Sequence, residues 1–517
     1  MSNTKKVAKS AAMIAVLTLI SKFLGFIREM LIAYKFGSGY ETDTYFVAMT
    51  ATVLIMSTVG AALNTTLIPI FSEIEEKKGK KHKVKYLNNV LNVVFIITIV
   101  LGILGYFLSP VVIRILAKGF TGEQFKLAVK LNRIGLPIMI FLGFTYIFSG
   151  FLQSSEIFGP PAIAGIPFNL VYIIYLFIFS NKLGVVGLMV ASVIAASAQF
   201  LIQVPATKRL GYKYSFDVDL KDRYINKAMI LVLPVLLGSA VQQINTVIDK
   251  TLASDLVEGS ISALNYSAKI NSLVISVFVT AITTVIFPML SRAFNQNDTN
   301  QVKEIMAEGI NIILIITVPA TIGIVLLAQP VVKIFFQRGA FDETATLMTS
   351  QALIFYSLGL VGSSLRLMLN KVYYSFQDTI TPMVNGIIAV IINLIFNIIL
   401  VKPMAHSGLA LATSISLTVS TLFLFVSLRK KMKGAMGLKR YMECFIKTLI
   451  SAIIMGLVVK VTYFGLTSLL PDKNIIQLIV LVFTIGLGGF IYTILCSILK
   501  VKEIRVLLNR LVRMKKK

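Results

Sequence analysis

Lys22, Arg28 and Glu29 stand inside an otherwise apolar stretch, SKFLGFIREMLIAYKFG at 21–37. Lys22 lies near the middle of the longer apolar run 8–35, and Arg28 and Glu29 lie deeper than an end anchor need be. Gly25 permits a bend or a close helix approach. A further cation, Lys269, lies in ALNYSAKINSLVISVF with no acidic residue three or four positions away, and Tyr266 and Ser272 share its polar face. Arg366, in SSLRLMLNK, is a weaker case of the same kind. Cations at such depth are costly unless they face a partner or a ligand. As a functional set they form a cationic wall that suits an anion, above all a phosphate or diphosphate, with Glu29 as partner or orienter. The competing reading is a snorkelling lysine and a local Arg–Glu pair.

A second constellation is of the opposite kind. Asp249 sits in QQINTVIDKTLAS, and Asn393 and Asn397, spaced i and i+4 in VIINLIFNIIL, share one helix face. Thr413 follows Leu409 by four residues, so its hydroxyl lies near that carbonyl. Carboxylate, amide, hydroxyl and carbonyl oxygens together suit a hard cation, Na⁺ or H⁺. Hydrogen bonding between helices is the competing reading. Neither set is catalytic, and paired acids, a His–Cys cluster, a Ser–His–Asp arrangement and a phosphate-binding glycine loop are absent from suitable contexts. Cys444 and Cys496 lie in apolar runs, and His82 and His406 are too far apart in sequence for a histidine metal site. The chain reads as a non-enzyme without a cofactor, apart from a coupling ion.

The elements that must position these residues follow from composition. Of 517 residues, 56% are hydrophobic and only 14% charged, and the mean hydropathy is +0.84. Soluble domains are about a quarter charged, so the fold class is an all-α polytopic membrane protein. Spanning stretches fall at 8–35, 42–73, 87–115, 125–154, 161–180, 184–206, 224–252, 258–291, 301–328, 343–376, 380–402, 406–428, 438–466 and 474–499, fourteen in all. The lysine-rich N-terminus runs on without a clear cleavage site and reads as a retained first helix.

A formal net charge of +27 would suggest nucleic acid in a soluble protein. Here the bases collect in alternate connections. These are Lys5–Lys6, EIEEKKGKKHKVK at 73–85, KRLGYKYSFDVDLKDRYINK at 208–227, RKKMKGAMGLKR at 429–440 and the tail from Lys500. The opposite connections are poorer in base, with Arg114, Lys118, Lys333 and Arg338 as exceptions. The bias places both termini in the cytoplasm and leaves membrane lipids, not nucleic acid, as the partner. The amphipathic tail reads either as an element lying on anionic lipid or as a charged stop.

The two halves repeat. Pro69 matches Pro288 at an offset of 219, and Pro161, Gly165 and Gly187 match Pro382, Gly386 and Gly408 at 221. Six spans per unit return the chain to the same side, so the halves run parallel, related by an axis along the membrane normal, with a substrate site between them. The expected domains are an N-terminal six-helix lobe at 1–210, a C-terminal six-helix lobe at 211–433, two extra helices at 434–500 and a basic cytoplasmic tail at 501–517.

The sequence resembles the MurJ/MviN family of lipid II flippases, within the multidrug/oligosaccharidyl-lipid/polysaccharide exporter superfamily. The resemblance rests on SKFLGFIREMLIAYKFG at 21–37, ETDTYFVA at 41–48, TTLIPIFSE at 65–73, GSISALNYSAKIN at 259–271, TTVIFPMLSR at 283–292, FQRGAFDETAT at 336–346 and SFQDTITP at 375–382. It implies two six-helix lobes plus two helices forming a groove for the lipid tail. It also implies a bacterial cytoplasmic membrane protein, expected to act as a monomer. The implied substrate is undecaprenyl diphosphate carrying the peptidoglycan disaccharide-pentapeptide, moved from the inner to the outer leaflet.

The family's cavity cations fall on Lys22, Arg28 and Lys269, and its acidic positions on Glu29 and Asp43. Met56 stands where a further cavity arginine is usual, and Ser272 where some members have glutamate. Lys for Arg at 22 and 269 loses the planar fork. A sodium site of some members maps onto Asp249, Asn393, Asn397, the carbonyl of Leu409 and Thr413, with a proton at Asp249 as the alternative. The other functional readings are a sodium-coupled exporter of another polyprenyl-linked oligosaccharide or a drug, and, in a different class, a membrane glycosyltransferase or polymerase.

Overall fold

The computed structural model describes residues 3–432 and 437–504. The expected boundary near 433 and the tail from 505 lie outside them. Every described element is a helix, as lipid demands: backbone groups there must be satisfied within the segment. The chain divides into two compact units, Met1–Ser262 with Arg338–Phe341, and Ala263–Gln337 with Asp342–Lys517.

The first unit holds α1 (Asn3–Phe36), α2 (Tyr40–Lys78), α3 (Lys80–Leu116), α4 (Gly122–Gly135), α5 (Ile138–Ser154), α6 (Gly159–Ile163), α7 (Gly165–Ile178), α8 (Ser180–Leu201), α9 (Val204–Arg209) and α10 (Arg223–Ser254). Its core joins α2, α3 and α5 through Leu67, Phe71, Tyr86, Leu87, Phe148 and Phe151, and α10 adds Tyr224 and Ile225. The α2–α3 hairpin extends past the apolar run. Its Lys83, read from sequence as one of many loop charges, is buried, donating to Glu75 Oε2 at 2.6 Å and Ser155 Oγ at 2.7 Å with the Phe151 ring 5.0 Å away.

The chain enters the second unit within α11 (Ser260–Val274), which passes through a π-helical turn at Ile275–Val279 into α12 (Thr280–Asn295). Then follow α13 (Thr299–Phe336), α14 (Glu343–Leu358), α15 (Leu360–Ser375), α16 (Ile380–Lys431), α17 (Leu438–Leu469) and α18 (Asn474–Ile498). The last two helices pack on α13. A Cβ at Gly456 of α17 would stand 2.7 Å from Ile322 and Leu326, and Tyr492 of α18 donates to the Ile315 carbonyl at 2.9 Å.

Among the described residues, ten helical runs are long and apolar enough to cross a membrane, or eleven if α14 and α15, bent by 46°, form one. That is fewer than the fourteen expected stretches. Part of the difference is physical: α16 is a single run of 52 residues containing the stretches 380–402 and 406–428, joined through Ala405 at φ 49°, ψ −133°. The helices α1 and α10, of 34 and 32 residues, stand outside that count.

Element boundaries recur at an offset of 221. The starts of α4 and α14, the ends of α5 and α15, and the starts of α6 and α16 are all so spaced. So are the left-handed residues Glu156 (φ 60°) and Gln377 (φ 58°), and the breaks at Gly184 (φ 54°) and Ala405 (φ 49°). The same backbone irregularity thus recurs at the offset of the Pro161–Pro382, Gly165–Gly386 and Gly187–Gly408 pairs.

Candidate functional site

Arg28 projects from α1 toward α7. Its Nη2 donates to Glu29 Oε1 at 2.7 Å and its Nη1 to Asn169 Oδ1 at 3.2 Å. Both amide hydrogens of Asn169 are used on backbone, toward Gly165 O at 2.7 Å and Ser21 O at 3.1 Å, so its oxygen is fixed toward the guanidinium. The guanidinium carbon lies 5.0 Å from the Tyr172 ring centre and 5.4 Å from that of Phe168. Tyr172 OH in turn meets Tyr45 OH at 3.1 Å, and Tyr45 OH meets Ser192 Oγ at 3.1 Å. The Arg28 side chain stays 16% exposed and that of Glu29 5%. This is a charge-assisted pair inside a buried polar network, with cation–π support. It joins α1, α2, α7 and α8.

The local Arg–Glu pair is therefore real, and the cation is also held at a fixed angle. Asn169, Tyr172, Tyr45 and Ser192 were missed from sequence. The available signal was weak: a single Asn one turn after Gly165 in an apolar helix. The close approach of α1 and α7 lies at Gly165, where a Cβ would stand 2.1 Å from Ser21 Oγ, and not at Gly25, where it would meet Asn169 at an ordinary 3.7 Å. Lys22 is half-buried on the same helix. Met56 is 1% exposed and packs toward Gly143 of α5, so this position belongs to the apolar core.

Asp43 is buried near the start of α2. Its Oδ2 accepts from the Gly259 N–H at 2.8 Å, and its Oδ1 from the Ser262 N–H at 2.7 Å and the Ser262 hydroxyl. The carboxylate is a tether to the chain entering α11. Gly259 (φ 87°) is required there, since a Cβ would stand 2.6 Å from the Ser38 carbonyl oxygen. Arg338–Phe341 closes the same end of the unit, with Ala340 N donating to Tyr34 O at 2.9 Å.

In the second unit Lys269 and Ser272 are exposed on α11, one turn before the π-helical segment. The Ser272 hydroxyl donates to the Lys269 carbonyl at 2.9 Å. Arg366 on α15 is half-buried, near Gly386 of α16. Four of the five cation-site residues are brought together. Asn397 Nδ2 donates to Asn393 Oδ1 at 2.7 Å, Asn393 Nδ2 to Thr413 Oγ1 at 3.2 Å, and Thr413 Oγ1 to Leu409 O at 3.0 Å. Asp249 lies on α10, in the first unit. The two amides, the hydroxyl and the carbonyl form the chain of hydrogen bonds that the helix-packing reading also expects.

The profile of the family described as "Lipid II flippase MurJ" matches residues 32–481. The chain belongs to the MurJ lipid II flippase family. It is 30% identical over 465 residues to a "Probable lipid II flippase MurJ" of Vibrio cholerae, covering 87% of each chain. It is 28% identical over 500 residues to one of Rickettsia prowazekii, covering 95% of this chain and 98% of that one. Among solved structures, "Lipid II flippase MurJ, inward closed conformation" aligns at a TM-score of 0.79 and 27% identity, covering 95% of this chain and 99% of that one. A multidrug resistance MATE family transporter of the MOP superfamily aligns at 0.68 and 16% identity, over 81% of this chain and 98% of that one, and so shares the fold. The MurJ assignment makes the chain a multi-pass bacterial membrane transporter and not an enzyme.

Proposed function

We propose that this chain carries lipid II, undecaprenyl diphosphate bearing the disaccharide-pentapeptide, from the inner to the outer leaflet of the cytoplasmic membrane by alternating access. The observation that supports it best is Arg28: a guanidinium inside an apolar bundle, oriented by Glu29, Asn169 and two rings, and still partly exposed. With Lys22 and Lys269 it attracts the diphosphate, and Arg supplies the bidentate geometry. The polyprenyl tail stays in the bilayer, against the two C-terminal helices. Neutralising the cations lets the lobes close behind the headgroup.

The two lobes are residues 1–210 and 211–433, followed by the groove helices 434–500. Counting α1, α10, α14 with α15 as one span and both halves of α16 gives fourteen, which supports reading both termini on one side, the cytoplasmic side by the distribution of Lys and Arg. The recurring boundaries and bends support the six-helix repeat. The working unit is the monomer. Na⁺ at Asp249, Asn393, Asn397, Leu409 and Thr413 biases the return step.

The test is purified protein in liposomes loaded with labelled lipid II, with and without a sodium gradient. Lipid II crossing the bilayer intact, faster with the gradient, is the expected result. Polymerised or cleaved lipid without translocation would contradict the proposal.

A further inference from the structure

The segment between α9 and α10 carries an alternating pattern that transport does not use: Tyr214, Ser215, Phe216, Asp217, Val218, Asp219, Leu220. Alternate residues are bound to α3 through their backbones. Asn88 Nδ2 donates to Lys213 O at 2.8 Å, and Asn92 Nδ2 to Ser215 O at 3.0 Å and Asp217 O at 2.9 Å. Asn89 Nδ2 donates to Asp219 O at 3.0 Å, while Asp219 N–H returns to Asn89 Oδ1 at 2.9 Å. All three asparagines are buried. Of the residues between, Phe216, Val218 and Leu220 face outward, 70%, 40% and 62% exposed, while Tyr214 turns its hydroxyl back to donate to Asn92 Oδ1 at 3.0 Å. Three exposed apolar side chains on a segment this well fixed are not a floppy linker. They are a surface.

Its level in the molecule says what covers it. Within the apolar stretch 87–115 of α3, the residues up to Val93 are turned inward and the outward-facing ones begin at Ile96 and Ile97. Asn88, Asn89 and Asn92 precede these by four to eight residues, so the strap lies one to two helical turns, about 6–12 Å, from the first outward-facing apolar residues. Lys208, Arg209, Lys213, Lys221 and Arg223 are exposed around it. The nearby acids are turned to local donors: Asp217 to Ser215 Oγ, Asp219 to Lys221 N and Asp222 to Tyr224 N. Aromatic and aliphatic side chains rimmed by bases, at headgroup level, fit an anionic lipid surface.

We propose that residues 213–221 form an interfacial strap, with Phe216, Val218 and Leu220 inserted at the headgroup–acyl boundary of an anionic leaflet and the surrounding bases on its phosphates. The asparagine clamp carries that anchorage to α3 and so to the core of the first unit.

The chain contains no tryptophan, so Phe216→Trp gives a single fluorescent reporter. The full chain is reconstituted in phosphatidylglycerol-containing liposomes with lipids brominated at defined depths. Phe107→Trp, on the exposed face of α3, serves as the bilayer reference and Lys81→Trp as the aqueous one. The expected result is blue-shifted emission from Phe216→Trp, quenched most by bromines nearest the headgroup. Leu220→Trp gives the same result independently should the first variant not fold. Emission and iodide quenching equal to Lys81→Trp in both variants, with no quenching by brominated lipid, would overturn the proposal and leave the strap free for an aqueous partner.

Discussion

A guanidinium inside a membrane bundle is useful only if it is held, and the holding residue at Arg28 is Asn169. Asn169→Leu removes the acceptor of Arg28 Nη1 and the donors to two backbone carbonyls. Loss of buried hydrogen bonds of this kind costs about 1–3 kcal/mol. Lower thermal stability in detergent together with slowed lipid II translocation is expected, and unchanged transport would separate Asn169 from the site. Arg28 and Glu29 were legible in the sequence because charge in an apolar run is rare. Asn169 and Tyr172 were not, because Asn and Tyr are ordinary in membrane helices and only the packing of α1 on α7 gives them a role. Met56 shows the converse: a position where the family resemblance leads one to expect a cation is here filled by an apolar side chain, and the structure makes it core.

Helix breaks carry a similar contrast at the scale of elements. Gly184 and Ala405 occupy matching breaks, and only glycine adopts that backbone without strain. Ala405→Gly is therefore expected to stabilise the protein, by about 1 kcal/mol, as a raised melting temperature. A lower value would mean that the methyl group contributes packing larger than the strain. Asp378 precedes α16 and binds Thr381 in its first turn and Lys431 in its last, at 2.6 Å. Burial alone would raise this carboxyl, but the Lys431 ammonium and the Thr381 donors outweigh it and hold it below its ordinary value. A depressed carboxylate stabilises the fold above the unfolded value, about 3.9, and that contribution disappears as pH falls through the lower folded value. The stability advantage of the natural chain over Asp378→Asn is expected to be constant near neutrality, to begin falling at about pH 4 and to disappear only as pH drops below the lower folded value. A difference independent of pH would assign it to hydrogen bonding alone. Helix positions were readable from hydropathy, whereas the joining of two stretches through Ala405 was not: hydropathy marks apolar lengths, not the backbone angle between them.

For the whole molecule, four Pro and Gly pairs suggest a duplication, and element boundaries and bends recur at an offset of 221. The compact units divide differently from the repeat, with α10 packed on the core of the first unit. Repeats record descent and packing records present contacts, so sequence could reveal only the first. Coupling belongs to this scale as well. One elementary charge moved across 100 mV corresponds to about 2.3 kcal/mol, enough to bias two states separated by a few kcal/mol. Asp249→Ala is expected to abolish any acceleration of translocation by a sodium gradient while leaving the basal rate. Acceleration that persists in this variant would remove Asp249 from the coupling site.

The central claim is that buried cations move a diphosphate lipid, and Arg28 tests it most directly. Removing it alone takes the ion-pair partner from the buried Glu29 carboxylate, at a cost of about 3–5 kcal/mol, so Arg28→Ala is paired with Glu29→Gln to keep the fold. The measurement is lipid II translocation in liposomes by the natural chain, by the double variant and by Glu29→Gln alone. Glu29→Gln is expected to retain most of the rate, and the double variant, folded to the same extent, to lose at least about tenfold, equivalent to 1.4 kcal/mol. A folded double variant translocating lipid II at the natural rate would contradict it.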